Sequence, residues 1–169
     1  VIRLGGRTIV CLDTPGHAKH HIAYLDRAAD AVFAGDAFGV THAGLYVNEG
    51  QGIIPTTSPV QFDAEAMRRS IDRIVALAPA AVYLTHFGAI RDVARTAADL
   101  HRLIDDHERA VERAGGDYER TLAALRALFE QELDRQAWPI SKEEMRDTFK
   151  TTIELNAQGL CVWHGNRRA

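Results

Sequence analysis

The chain has 169 residues, 46% of them hydrophobic, enough for one globular core. A net charge of −3 excludes bulk electrostatic attraction to nucleic acid, and no run of about 18 apolar residues is present to cross a membrane. The two cysteines, Cys11 and Cys161, form no disulfide framework, so a reducing, cytoplasmic setting is expected.

In chain order, Val1 to Leu4 reads as a strand closed by a Gly5-Gly6 turn. The chain thus starts inside a strand and not at a Met, which suggests the C-terminal part of a larger protein or one piece of a cut one. A second strand over 7–12 contains Cys11, read as a small buried hydrophobe. A helix is expected from His20 to Ala29, then a strand over 30–34. Residues 37 to 62 are rich in Gly, Pro and Thr and read as a long loop with a short strand at Leu45-Tyr46-Val47. A loop of that length inside a compact domain usually serves function.

The next helix has clear start signals. Asp63 is the N-cap, and Phe62 with Met67 has the spacing of a hydrophobic staple. Met67, Ile71, Ile74, Val75 and Ala78 make one apolar stripe, and Pro79 stops it. A strand over 80–85 follows. The remaining chain is helical. Val93, Ala97, Leu100, Ile104, His107 and Val111 share a helix face, and Gly115-Gly116 breaks that helix. Leu122, Leu125, Phe129 and Leu133 mark a second helix. Ser141 with Glu144 opens a third by a capping-box pattern.

Three segments end strands in the first half: Thr14-Pro15-Gly16-His17, Gly35-Asp36, and Thr85-His86-Phe87-Gly88. Each places a His or Asp just past a strand's carboxyl end, the edge of an α/β sheet where ligands gather. Neutral imidazoles with a carboxylate suit zinc or a similar divalent ion. Gly16 and Gly35 fit backbones that bend sharply at a ligand site.

Taken in this order, the segments resemble the second half of the metallo-β-lactamase-fold hydrolases. The resemblance covers roughly residues 1 to 90 and leaves 91–169 as a helical extension. It implies an α/β architecture, half of an αββα sandwich. It also implies that His17 binds a first metal, Asp36 bridges two metals and His86 binds the second. The implied cofactors are two divalent ions, zinc first, with manganese or iron as alternatives. Asp36 would be catalytic as the bridge that keeps a metal-bound hydroxide in place for attack on an ester, lactone, thioester or phosphoester. The family's HxHxDH motif is absent from this chain. The implied partner is therefore an N-terminal half of the same protein, or a separate chain, carrying it. The rival reading is a non-catalytic fragment or subunit that completes a fold with such a half.

Other residues are weighed individually. His42 and Tyr46, with Asn48, lie in the long loop and are candidates to face a small-molecule substrate. His20 and His21 are read as helix caps or as partners orienting His17. His107, on an apolar stripe, is a core histidine. The stripes on the later helices could pack as core, roof a pocket or form a homodimer interface.

Overall fold

A computed structural model describes residues 1–42, 52–58 and 60–168 with their side chains, and residues 46–47 and 50–51 by backbone. The strands are β1 (Ile2–Leu4), β2 (Arg7–Asp13), β3 (Ile22–Asp26), β4 (Ala31–Gly35), β5 (Tyr46–Val47), β6 (Gly50–Gln51), β7 (Ala81–Leu84) and β8 (Ala89–Ile90). The helices are α1 (Ala64–Val75), α2 (Val93–Ala114), α3 (Tyr118–Arg135) and α4 (Lys142–Asn166). Six strands form one sheet in the order β1-β2-β3-β4-β7-β8, and β5 with β6 forms a separate hairpin.

The helix expected at 20–29 is instead the strand β3. Ile22, Ala23, Tyr24 and Leu25 alternate between the two faces of the sheet, a period of two that no amphipathic helix shows. Pairing on both sides, to β2 and to β4, settles the conformation. The two antiparallel pairings also make β2 parallel to β4, and β4 is parallel to β7. The carboxyl ends of β2, β4 and β7 therefore lie on one edge.

The inner row Val10, Leu25, Val32, Val82 and Ile90 runs in register across five strands. Against that side pack Met67, Ile71 and Ile74 of α1, all buried. Each such side chain contributes about 1.5–3 kcal/mol relative to exposure. The outer row is Cys11, Tyr24, Phe33 and Tyr83. Cys11 is thus exposed and not the buried hydrophobe expected, because strand alternation turns it to the outer side with Tyr24. Tyr24, Phe33 and Tyr83 remain 40%, 46% and 39% exposed. The Phe33 and Tyr83 rings stack at 5.1 Å.

The helix boundaries follow their caps. Asp63, Asp92, Asp117 and Ser141 each accept a backbone N–H of the first turn, and Glu144 closes the capping box with Ser141. Phe62 and Met67 are both buried, as a staple requires. The stripes of α2 and α3 are buried along their length, including His107. His107 Nδ1 donates to the Leu103 carbonyl at 2.8 Å. Burial pushes its pKa down to about 4, so the ring is neutral. Arg68 of α1 bridges to Asp105 and Glu108 of α2. Arg102 of α2 forks onto the buried Glu132 of α3 at 2.7 and 2.8 Å. One buried cluster joins the sheet to all four helices. Among the described residues, no helix is long and apolar enough to cross a membrane.

Candidate metal centre

The loop after β2 carries His17, the turn after β4 carries Asp36, and the turn between β7 and β8 carries His86. Since the three strands point the same way, all three side chains meet at one sheet edge. His17 Nε2 lies 3.5 Å from Asp36 Oδ2, and His86 Nε2 lies 3.7 Å from Asp36 Oδ1. Each histidine thus faces a different oxygen of one carboxylate.

Neighbouring groups fix that arrangement. Ser70 of α1 donates to the Pro15 carbonyl at 2.6 Å, and Asp63 N donates to the Gly16 carbonyl at 2.8 Å. Gly16 has φ +138°, and a Cβ there would come within 2.4 Å of Met67 Cα. Only glycine lets α1 seat so close to the His17 loop.

Thr56 connects two of the three residues. Its hydroxyl donates to the Asp36 carbonyl at 3.0 Å, so toward His17 Nδ1, also at 3.0 Å, it must accept. His17 therefore carries its proton on Nδ1, and the Nε2 lone pair faces Asp36. The Ser58 hydroxyl lies 3.3 Å from the same Nδ1.

His21 plays a comparable part for Asp36. Burial and the adjacent His17 lower its pKa, which favours the neutral ring. Its Nε2 accepts the Asp36 backbone N–H at 3.2 Å, leaving Nδ1–H for the Thr14 hydroxyl at 2.9 Å. Gly35, at φ +57°, makes room, because a Cβ there would lie 2.5 Å from His21 Nε2. His21 thus holds the backbone of Asp36 and caps no helix, and its ring stands edge-on to that of His17, 6.0 Å between centroids. His20 is exposed on the turn before β3.

The donor set fits a divalent cation. Asp36 Oδ1 is buried and has no hydrogen-bond partner among the described residues. A carboxyl group whose two oxygens each face an imidazole nitrogen, at distances beyond ordinary hydrogen bonds, is a set of electron-pair donors turned inward. Among the described residues no three His, Cys, Asp or Glu close into a full shell around one point. The cluster is one carboxylate, Asp36, with one imidazole nitrogen beyond hydrogen-bond distance of each of its oxygens.

Beside the cluster opens a cavity of about 340 Å³. His42 lines it, its ring 5.1 Å from Phe87 and 5.5 Å from Phe149. Phe149, Thr152 and Leu155 of α4 form the facing wall. The backbone of Tyr46 lies in β5, while its side chain and the whole of Asn48 fall outside the described residues. Thr56 and Asn156 are the positioning residues that sequence reasoning missed. The one available signal was a Thr pair after Pro55 inside a long loop.

No protein-family model matches the chain. A metallo-β-lactamase fold-containing protein of Sulfurisphaera tokodaii, ST1585, is 36% identical over 87 residues, which is 52% of this chain and 30% of that protein. The crystal structure of the archaeal metallo-β-lactamase superfamily protein ST1585 from Sulfolobus tokodaii superposes with a TM-score of 0.53 at 25% identity. It covers 94% of this chain and 48% of that one. A metallo-β-lactamase family protein of Thermus thermophilus, TTHA1429, superposes with a TM-score of 0.54 at 22% identity, covering 99% of this chain and 46% of that one. The chain spans about a third of the length of its sequence relative and about half of each structural one. That partial coverage is consistent with a C-terminal part.

Proposed function

We propose, on the premise that this is a metallo-β-lactamase fold protein, that it contributes half of the active site of a metal-dependent hydrolase. The observation that carries the proposal is Asp36 set between His17 and His86, one carboxylate oxygen toward each ring. His17 would serve a first divalent ion, His86 a second, and Asp36 both. When bound, such ions supply an acidified water and a Lewis acid for the oxygen that gains charge.

This chain's own residues do the positioning. Thr56 keeps the His17 proton on Nδ1, and His21 holds the turn that presents Asp36. In the overall reaction a water oxygen joins the acyl carbon or phosphorus. The bond to the leaving oxygen or sulfur breaks, and the leaving group takes a proton.

The remaining ligands would come from a segment carrying HxHxDH, either in the same polypeptide or in a separate chain. The outer sheet face supports this pairing. Ile2, Leu4, Ile22, Tyr24, Phe33 and Tyr83 are exposed there, an apolar surface of the kind that marks an interaction site. Sheet-on-sheet packing would bury it.

The test is to load the chain with zinc or manganese, alone and with that segment present, and to assay esters, lactones, thioesters and phosphodiesters. Turnover is expected only in the completed protein, and His17→Ala should abolish it. Robust turnover by this chain alone, abolished by His17→Ala, would refute the half-site reading.

A further inference from the structure

The cavity beside the His17–Asp36–His86 cluster has two unlike ends. At one end are His17, Asp36 and Thr56, whose polar atoms converge. Away from them Val40, Phe87, Phe149 and Leu155 give the lining more apolar than polar surface, with His42, Thr41, Thr148, Thr152 and Asn156 interspersed. Among the described residues lining it, the only ionisable side chains are His17, Asp36, His42 and His86, and no Lys or Arg is present. An anionic substituent lying away from the His17–Asp36–His86 end would meet no Lys or Arg among these lining residues. A hydrocarbon chain would meet aromatic and aliphatic surface.

We infer that this cavity takes an uncharged aliphatic acyl chain, with α4 as the wall that selects its length. The inference rests on the hydrolase reading above and names its substrate class, a neutral long-chain ester or lactone. The carbonyl group sits at the polar end by the metal cluster, and the chain runs along Phe149 and Leu155. The volume of about 340 Å³ is at the small-ligand end of the usual range of roughly 300–1,000 Å³. Phe149 is fully packed against Phe129 and Trp138, with ring centroids at 5.7 and 5.4 Å, so it is a rigid floor. Leu155, 41% exposed, stands at the rim and can be changed without opening the core. Each methylene that leaves water strengthens binding by about fourfold.

The test uses the metal-loaded full-length protein with p-nitrophenyl acetate, butyrate and octanoate, and with bis(p-nitrophenyl) phosphate. Binding of decanamide, which is not an ester, is followed separately by titration calorimetry. The expected result is a kcat/KM for octanoate at least about tenfold above that for acetate. Leu155→Trp, with an unchanged melting temperature, should cut the octanoate-to-acetate ratio severalfold and weaken decanamide binding. Ester hydrolysis with no length preference and no decanamide binding overturns the inference and leaves the hydrolase reading standing. Preference for the phosphodiester also overturns it. Decanamide binding that weakens in Leu155→Trp, without hydrolysis of any substrate, keeps the apolar site and overturns the hydrolase. Neither binding nor hydrolysis overturns both.

Discussion

Asn156 clamps Thr57 twice: its Oδ1 accepts the Thr57 backbone N–H at 3.0 Å, and its carbonyl accepts the Thr57 hydroxyl at 3.0 Å. Its Nδ2 also donates to the Pro55 carbonyl at 3.0 Å. The residue between those two contacts is Thr56, which fixes the proton on His17. Helix α4, far along the chain, therefore holds the loop that orients a candidate metal ligand at the sheet edge.

Asn156→Ala should destabilise the fold by about 2–4 kcal/mol, because the Thr57 N–H and the Pro55 carbonyl are both left buried without a partner. Thermal unfolding measures this. A variant as stable as the parent would show that water or a shifted backbone replaces the clamp at no cost.

Thr56→Val keeps the shape and removes the hydroxyl between His17 and Asp36. Zinc affinity in the complete protein should fall by about 10–100-fold, the usual effect of losing a partner that orients a ligand. Competition with a chelator of known affinity reads it. Undiminished affinity would mean that Ser58, 3.3 Å from the same nitrogen, suffices alone.

Much of this was legible in the sequence. The three motifs could be found because each is contiguous and ends a strand, and strand direction then brings distant motifs to one edge. The later helices were legible from periodicity and caps, since Asp63 and Ser141 act within their own first turn. What could not be read depends on contacts between remote segments. His20-to-Ala29 resembled a helix because its neighbours β2 and β4, whose pairing makes it a strand, are invisible in a local window. The role of Asn156 depends on Pro55, 101 positions away, and no spacing rule reaches that far. Cys11 was misjudged because the outer sheet face is itself apolar, so composition does not tell inside from outside.

His107 makes stability depend on pH. Burial lowers its pKa from 6.5 to about 4 in the folded chain, whereas the unfolded chain keeps the ordinary value. Between these values the unfolded state binds more protons, so stability falls as pH drops through this window and is flat above it. The contribution of this group is about 3 kcal/mol across the window. Urea denaturation at pH 7 and at pH 4.5 checks it. His107→Leu should remove that part of the slope, and an unchanged slope would show that other groups cause it.

Leu125→Asp places an unpaired charge where the side chain is fully buried in α3. A cost of about 3–5 kcal/mol is expected, visible as a large drop in melting temperature or failure to fold. A melting temperature equal to the parent's would mean that the α3 stripe is not core.

The central claim is that Asp36 bridges two divalent ions. Elemental analysis of the purified full-length protein, compared with Asp36→Asn, tests it most directly. Asn keeps the size of the side chain but removes the charge that would draw both ions. The parent should hold about two ions per chain, and the variant well under one with turnover lowered by orders of magnitude. Equal metal content and equal turnover in the two proteins would contradict the account.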